Sequence, residues 1–490
     1  MSSPILRACG DVGLAPRYPV RRPRRVVAEP IDLFLIAQRN TRPLWDRRAP
    51  AFRLFDVIQA RRAVVMVLSM LLASCTRDAT KGDVATAEAL QFPATVVGAG
   101  TGDDFRPCVS FPTLCTDEPG ERDLVAPAFS NPVQIVPGKL PSQIALKMAN
   151  NNLGVAWFAH RLFVAFRTVS HHHPREDASI EVISTEDLER WSFEGHFALA
   201  VDMREPVLFV VNGKLFLDFS LVEPSTTSFR PIGLRSTEYI GPGRWTAPEP
   251  VLAPGMIVWR VKTIDGQAYL NGYTGLRGLF DYNGVTVRWM KSTDGKTWTP
   301  VGRQSAVLNG GDTESDFVFL SDGSIVAITR NEVGDETGYG SKLCRAPAND
   351  LGRWTCVPSR RKYDSPLMFR HGRSVYLIGR RNVTVLGDYD LYRNWLPTFA
   401  RTGFYEFAYW NRPKRCALWQ VDPQAMKVDF LADLPSRGDT CFPGLLKLDR
   451  RRYLVFNYTS PLDGPDLTWR QGQNGPTAIY YSVLMPEDDD

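Results

Sequence analysis

The chain has 490 residues, of which 44% are hydrophobic and 23% are charged, with 38 glycines and 36 prolines. This is an ordinary globular composition, long enough for one large all-β domain or two or three smaller ones. The net charge is +5, but residues 1–75 hold 13 arginines and 5 acids, a net of +8, so residues 76–490 carry about −3. The basic total therefore does not favour a nucleic-acid partner, and we predict none.

Residues 61–75 read RRAVVMVLSMLLASC, in which two arginines precede a short apolar run and then small residues. The run is too short to span a bilayer and is typical of the core of a signal peptide. Its end, from Leu72 to Cys75, resembles a bacterial lipobox. The resemblance implies cleavage before Cys75, a lipid on that cysteine, and a protein exported and anchored to the bacterial cell envelope. The alternative is a buried apolar strand with a chance cysteine.

Residues 76–135 are interpreted as a tether with a small disulfide loop, because they contain little periodicity. Once Cys9 and Cys75 are set aside, six cysteines remain, and an even number after an export signal favours disulfides. The predicted pairs are Cys108–Cys115, Cys344–Cys356 and Cys416–Cys441.

From about residue 140, short runs rich in Val, Ile, Phe and Tyr alternate with polar turns. Tryptophans recur at intervals of 54, 53 and 56 residues, at Trp191, Trp245, Trp298 and Trp354. Six strand–turn–strand units can be counted, and repeats of this size predict a six-bladed β-propeller, which we assign to residues 136–490. The fifth unit, about 363–438, carries a long insertion.

The segment STDGKTW, residues 292–298, resembles the Asp-box, or BNR repeat, of bacterial sialidases, and STEDLERW at 184–191 resembles a degenerate copy. The resemblance covers residues 140–487 at the level of the blade pattern. It implies a sialidase-type propeller in which the box is a structural turn. There the Asp would bind backbone N–H groups and the Trp would pack between blades. The box therefore argues for the fold and not for catalysis.

Strands that end on a charged or phenolic residue recur from unit to unit and suggest a ring around the funnel of the propeller. The clearest case is residues 314–330, ESDFVFLSDGSIVAITR, where Glu314 and Arg330 flank a hairpin that turns at Asp322. This pair is interpreted either as a salt bridge or as part of a binding site. The ring comprises Arg167, Arg204, Glu205, Arg260, Glu314, Arg330, Arg380, Arg381, Asp439 and Tyr458.

Sialidases hold the substrate carboxylate with three arginines, whose planar forks bind carboxylates bidentately. They use a tyrosine nucleophile activated by a glutamate, and an aspartate as acid/base. The resemblance implies that Glu314 and Arg330 match the glutamate and the middle arginine. It also implies that Arg380 matches a later arginine of the triad. Arg167 matches the first-blade arginine that precedes the acid/base, which would be Asp177.

The chain departs from the sialidase pattern in two places. The Arg-Ile-Pro that opens the first blade is missing, and Lys147 or Arg161 would be poor substitutes for its arginine. In GDTCFPGLL, Phe442 occupies the expected position of the nucleophilic tyrosine and cannot attack. Tyr458, on a neighbouring strand, and Asp439 are the remaining candidates.

Three functions therefore stay open. The first is a surface-tethered sialidase-like propeller that binds and hydrolyses glycosides, of exo-α-sialidase type. The second is a propeller glycosidase that uses paired carboxylates drawn from Glu205, Glu314, Asp364 and Asp439. The third is a propeller that binds a glycan or a protein without catalysis. We expect a monomer with no cofactor. Residues 171–173 are histidines in a polar loop, and no metal is predicted. Residues 150–152 are asparagines that would bind sugar hydroxyls or form a turn.

Overall fold

The computed structural model describes residues 127–225, 229–276, 284–384 and 395–486. Six antiparallel sheets follow one another along these residues, each with four or five strands. The chain is a six-bladed β-propeller, as predicted. The apolar run at 61–75, Cys75, Cys108 and Cys115 lie outside the described residues, so the lipid and the first disulfide stay predictions.

Two short strands come first, β1 (Ala128–Phe129) and β2 (Val133–Val136). Blade 1 follows with β3 (Ala149–Phe158), β4 (Arg161–Val169), β5 (Ser179–Thr185) and β6 (Ser192–Phe197). Blade 2 has β7 (Asp202–Val211), β8 (Lys214–Val222), β9 (Pro231–Gly241), β10 (Arg244–Trp245) and β11 (Glu249–Pro250). Blade 3 has β12 (Ile257–Ile264), β13 (Gln267–Thr274), β14 (Val285–Ser292), β15 (Thr299–Pro300) and β16 (Ala306–Gly310).

Blade 4 has β17 (Asp312–Phe319), β18 (Ile325–Asn331), β19 (Lys342–Ala346) and β20 (Thr355–Pro358). Blade 5 has β21 (Asp364–His371), β22 (Ser374–Asn382), β23 (Lys414–Asp422) and β24 (Lys427–Asp433). Blade 6 has β25 (Gly444–Lys447), β26 (Tyr453–Thr459) and β27 (Ala478–Met485).

The sixth blade is completed by the beginning of the propeller chain. Both β1 and β2 pair with β27, with Ala128 opposite Met485 and Val133 opposite Tyr481. Residues 128–135, which the sequence analysis assigned to the tether, thus include strands of the sheet, so the predicted boundary at 136 is too late. The ring is closed because the last blade takes its outer strands from the N-terminal side.

The blades pack against one another through side chains that alternate between the two faces of each strand. On β4, Leu162 and Val164 belong to a buried cluster that includes Phe456 of the sixth blade. The intervening Phe163 belongs to a cluster with Leu215 of the second blade. Because successive side chains on a strand point to opposite faces, each blade buries one set of side chains against each neighbour.

The four repeated tryptophans stand at equivalent places, as predicted, each in the outermost strand of its blade or just before it. Three of them pack on an aromatic ring of the preceding blade. The ring centroids are 5.9 Å apart for Trp245 and Phe197 and 6.0 Å for Trp298 and Phe209. For Trp354 the partner is Trp289, at 5.8 Å. The repeat therefore marks the joints between blades.

Two of the repeated turns have the same hydrogen bonds. In the third blade, the Asp294 carboxylate accepts bonds from the N–H groups of residues 296 and 297 at 2.9 and 2.7 Å. In the first blade, the Asp187 carboxylate accepts bonds from residues 189 and 190 at 3.0 and 2.8 Å. Burial would raise the pKa of Asp187, but these bonds and the Arg190 side chain lower it to about 2.

Both predicted disulfides within the described residues are confirmed. Cys344 and Cys356 lie opposite each other on β19 and β20 and are bonded. The bond between Cys416 and Cys441 joins β23 of the fifth blade to the segment before β25 of the sixth.

Two helices interrupt the β structure, α1 (Thr398–Trp410) and α2 (Trp469–Gln473). Each lies between the second and third strands of its blade, so both are at the face where the innermost strands begin, here called the start face. The opposite face, where the first and second strands are joined, is called the hairpin face. On α1, Thr402, Tyr405 and Tyr409 are buried, whereas Phe404 and Phe407 are exposed. Among the described residues, no helix is long and apolar enough to cross a membrane.

We predict that Asp187→Ala and Asp294→Ala each lower the free energy of unfolding by about 0.5–2 kcal/mol, as loss of a helix cap does. The reason is that each substitution leaves two backbone N–H groups without their hydrogen-bond acceptor. Urea unfolding of both variants measures this loss. The exposed Glu189→Ala, which keeps its backbone N–H, is the control and should stay within about 0.5 kcal/mol of wild type. Unequal losses from the two aspartates would show that the two turns are not equivalent.

Candidate functional site

The innermost strands are all irregular near the start face. In blades 1 to 5, the pairing between the first and second strands shifts by one residue there. In the sixth, residues 441–443 separate the bridge at Thr440 from the ladder that begins at Gly444. Left-handed backbone conformations occur at these bulges, at Asn152, Glu205, Ser365 and Cys441, with φ of +43°, +47°, +51° and +78°. A bulge re-aims side chains, so a ring of bulges directs them towards the axis.

Bulges of different blades contact one another. The Asn152 amide donates to Oε1 of Glu205 at 2.9 Å, which joins blades 1 and 2. The backbone N–H of Ser365 donates to Oε2 of Glu314 at 2.6 Å, which joins blades 5 and 4. The ring is therefore held by hydrogen bonds between residues that are far apart in the chain.

Glu314 and Arg330 meet at the open end of their hairpin, as the symmetry of the stretch predicted. Nη1 of Arg330 donates to Oε1 of Glu314 at 2.5 Å. Two more carboxylates surround the same guanidinium, Glu332 at 3.4 Å from Nη2 and Asp364 at 3.3 Å from Nε. Arg330 is only 5% exposed. The pair is thus a buried four-membered ionic cluster and not an exposed salt bridge.

The two helices cover this cluster with aromatic rings. Tyr409 of α1 lies under the Arg330 guanidinium at 5.4 Å, and its hydroxyl contacts the Asp364 carboxylate. Nε of Arg380 donates to the Tyr409 hydroxyl at 2.9 Å, and Trp469 of α2 packs on the Arg380 guanidinium at 4.8 Å. Aromatic side chains of the two helices therefore cover the guanidinium groups of Arg330 and Arg380.

A second ionic cluster is built by blades 1 and 2. Nε of Arg167 donates to Oδ1 of Asp202 at 3.1 Å, and Arg204 binds the other oxygen of the same carboxylate. Nη1 of Arg167 also donates to the Asn151 side-chain oxygen at 3.2 Å. The asparagines at 151 and 152 thus serve as internal partners of charged residues.

Asp439 joins the clusters to the sixth blade. Its Oδ1 accepts bonds from the Tyr458 hydroxyl at 3.0 Å and from the Trp469 indole at 3.2 Å. Its Oδ2 lies 2.6 Å from Nδ1 of His172. Burial alone would raise the pKa of Asp439, but the interactions with His172, Arg380 and Tyr458 lower it. The structure therefore brings the predicted Tyr458 and Asp439 together, with the carboxylate ionised.

Within the part of the chain that the structure describes, one oxygen of Glu205 accepts no hydrogen bond, a feature that Glu205 shares with the buried acids Glu181, Asp218 and Asp364. Oε1 accepts the bond from Asn152, but Oε2 has no hydrogen-bond partner among the described residues. Burial raises the pKa of Glu205 to about 8; Arg204 opposes the rise, and the charges of Asp202 and Glu314 add to it. At neutral pH, Glu205 is therefore largely a neutral acid that can give up a proton.

Other predicted residues lie elsewhere. Asp177 accepts a bond from the N–H of Ser170 at 3.2 Å, stands 3.6 Å from Arg175 and is partly exposed. Arg161 begins β4, at the hairpin face, and lies 3.7 Å from Glu194, so it cannot replace the missing first-blade arginine.

Two further residues lie deeper on the axis. Arg260 packs on Phe442 with its guanidinium 4.7 Å from the ring. Phe442 is 2% exposed and belongs to the hydrophobic core. Among the described residues, no group of three or more His, Cys, Asp or Glu side chains is arranged to hold a metal ion.

The residues that the sequence analysis missed are Tyr409, Trp469, His172, Asp202 and Glu332. Tyr405 and Tyr409 are four residues apart within the insertion, a helical spacing that indicates one buried face. His172 belongs to the histidine run at 171–173, which the sequence analysis considered only as a metal site. The sequence offers no comparable signal for Trp469, which contacts Asp439 within the same blade.

The chain was also compared with known proteins. No family model matches it, and no curated protein matches its sequence. Solved structures match its fold. A protein of unknown function from Dyadobacter fermentans has a TM-score of 0.47 at 14% identity, covering 69% of this chain and 95% of that protein.

Two solved sialidases are similar at the level of fold. The endosialidase of phage phi92 has a TM-score of 0.44 at 10% identity, over 70% of this chain and 69% of that one. Trypanosoma rangeli sialidase with the inhibitor DANA has a TM-score of 0.47 at 11% identity, over 73% and 60%. At such identities, the likeness concerns the fold and says nothing about activity.

We predict that Arg330→Met lowers the free energy of unfolding by about 3–5 kcal/mol, because it leaves three carboxylates near each other without their buried counter-charge. The control is Arg381→Met, which removes the partly exposed pair with Asp433 and should cost about 0–1 kcal/mol. Chemical denaturation of both variants measures the difference. Equal losses would contradict the buried ionic cluster.

A second prediction concerns pH. Because the pKa of Glu205 is raised from 4.5 to about 8 on folding, the native state holds a proton that the unfolded state releases between these values. Its contribution to stability is complete below pH 4.5 and is lost as the pH rises to about 8. Glu205→Gln should therefore gain stability relative to wild type from pH 5 to 8. The exposed Glu249→Gln is the control, and equal pH profiles for wild type and Glu205→Gln would refute the assignment.

Proposed function

We propose that the start face acts on glycosides, with Glu205 as the proton donor. Hydrolysis of a glycosidic bond needs a carboxylic acid that is still protonated at the working pH, so that it can protonate the leaving oxygen. The observation that carries the proposal is the unpartnered Oε2 of Glu205, on a left-handed bulge, in a carboxyl whose pKa is about 8.

Glu314 is proposed as the second carboxylate. Burial raises the pKa of Glu314, and the charges of Arg330 and Arg380 oppose the rise. The ion pair with Arg330 and the bond from the N–H of Ser365 stabilise its ionised form. In the proposed reaction, Glu205 donates its proton to the leaving oxygen. The Glu314 carboxylate stabilises positive charge on the sugar ring or takes a proton from the attacking water. Asn152 fixes the orientation of Glu205.

Paired carboxylates are favoured over a triad of arginines because the arginines are already engaged. Arg330 faces three carboxylates of its own chain, and Arg380 donates to the Tyr409 hydroxyl and to the Thr440 carbonyl at 3.0 Å. A substrate carboxylate would have to displace these partners. We therefore propose a glycan substrate without requiring an acidic sugar.

A second candidate is the exo-α-sialidase reaction, and the contact between Tyr458 and Asp439 favours it. A tyrosine nucleophile needs a base on its hydroxyl, and the Asp439 carboxylate accepts that hydrogen bond at 3.0 Å. We retain export and lipidation at Cys75 in both proposals, because they would bring a monomeric propeller to the cell surface, where glycans are accessible.

The test is a glycan array followed by a released-sugar assay with neutral glycosides and sialosides. Glu205→Gln should lower turnover by about 10²–10⁴-fold, the usual contribution of general acid catalysis, while glycan binding persists. The exposed Glu223→Gln should behave as wild type. Tyr458→Phe separates the two candidates, since it abolishes release only if the phenol attacks.

Two results would overturn the proposal. The first is wild-type turnover by Glu205→Gln. The second is wild-type protein that binds glycans and releases no sugar from any of them, which would support the reading as a binding propeller.

A further inference from the structure

A cavity of about 640 Å³ lies on the propeller axis and opens at the hairpin face. Innermost strands of all six blades line it, and most of the lining is apolar, including Leu153, Phe317, Phe369 and Leu445. The exposed Thr263 and Asp265, at the end of β12 and in the turn after it, form part of its rim. The volume is within the range of small-molecule pockets, about 300–1,000 Å³.

The cavity contains a buried cation with one guanidinium nitrogen that has no hydrogen-bond partner among the described residues. Arg260 lines it and is 9% exposed. Its Nη1 donates to the carbonyl of Pro443 at 2.8 Å, and its Nε donates to the carbonyl of Pro366 at 3.2 Å. Nη2 has no hydrogen-bond partner, and Arg260 forms no ion pair with any described residue. The guanidinium also packs on the ring of Phe442, and the charges of Asp316 and Glu314 act on it from beyond ion-pair distance.

Lys262 also lines the cavity but, unlike Arg260, it forms an ion pair. Its ammonium lies 2.8 Å from Oδ2 of Asp316 and donates to the carbonyl of Phe317 at 2.7 Å. A buried cation normally has such a counter-charge, since desolvation of an unpaired charge is costly. Burial lowers the pKa of Arg260 to about 10, so it stays protonated at neutral pH.

We propose that the axial cavity binds a small amphipathic carboxylate, whose head group pairs with the guanidinium of Arg260 and whose apolar part extends towards the hairpin face. From Arg260 to Ile264, at the end of the strand, the chain advances about 13 Å at roughly 3.3 Å per residue. A medium-chain aliphatic carboxylate matches this depth and the apolar wall. The site is separate from the glycoside proposal, which concerns the start face.

The mouth of the cavity carries one cation and one anion, Arg370 and Asp265. Arg370 donates to the carbonyls of Phe319 at 3.2 Å and Gly372 at 3.1 Å, both of them neutral acceptors. Opposite charges at the rim give little net long-range attraction for an anion, so the preference for a carboxylate rests on Arg260.

The experiment is calorimetric titration of the full chain with octanoate, and with octan-1-ol and octylammonium as probes of equal length. Octanoate should bind about 10- to 100-fold more tightly than octan-1-ol, which is the usual effect of one hydrogen bond to a charged group. Octylammonium should not bind. In Arg260→Met this preference should disappear, whereas the partly exposed Arg381→Met and the start-face Glu205→Gln should bind octanoate as wild type does.

A second variant keeps the test decisive if Arg260→Met does not fold. Leu320→Trp, at the partly exposed rim, narrows the mouth without touching Arg260 and should weaken octanoate and octan-1-ol alike. The proposal is overturned if wild type binds octanoate no better than octan-1-ol. It is also overturned if either Arg260→Met or Leu320→Trp leaves octanoate binding unchanged.

Discussion

The arrangement of side chains at the centre of this propeller depends on one extra residue, a β-bulge, in each innermost strand. If the first and second strands paired without interruption, side chains near the start face would alternate between the two neighbouring blades. The bulges break that alternation, and the left-handed backbone at Asn152, Glu205 and Ser365 turns those residues towards the axis. A non-glycine residue in such a conformation costs about 1–3 kcal/mol, so the surrounding hydrogen bonds must hold it in place.

Charge burial follows from that constraint. Side chains that converge on the axis are removed from contact with water, and each buried cation is then stabilised by a nearby anion. Arg330 is compensated by three carboxylates, whereas the direct contacts of Arg260 are with carbonyls and a ring. The two arginines belong to neighbouring blades. The axis therefore has a polar end, where Arg330 is ion-paired, and an apolar end, where Arg260 forms no ion pair with a described residue.

The sequence predicted most of the fold because a propeller repeats. The near-constant spacing of four tryptophans together with six strand–turn–strand units sufficed for the blade count. The symmetry of the stretch from Glu314 to Arg330 sufficed for their contact. What the sequence could not supply was the convergence of blades that are distant in the chain. His172 and Asp439 are 267 residues apart, and no local pattern links them. The start of the propeller was also misplaced, because two short strands contain too few residues to display a period.

Closure of the ring by β1 and β2 has a consequence for how the protein folds. The pairing joins residues 128 and 485, so the last contacts of the sheet have almost the largest sequence separation that the propeller allows. Such contacts bring their stabilisation only after a long loop has been closed, which makes folding slow. Until the two ends meet, β27 presents a free edge, and a free edge can pair with another chain. By pairing with β27, residues 128–136 thus cover an edge at which aggregation could otherwise begin.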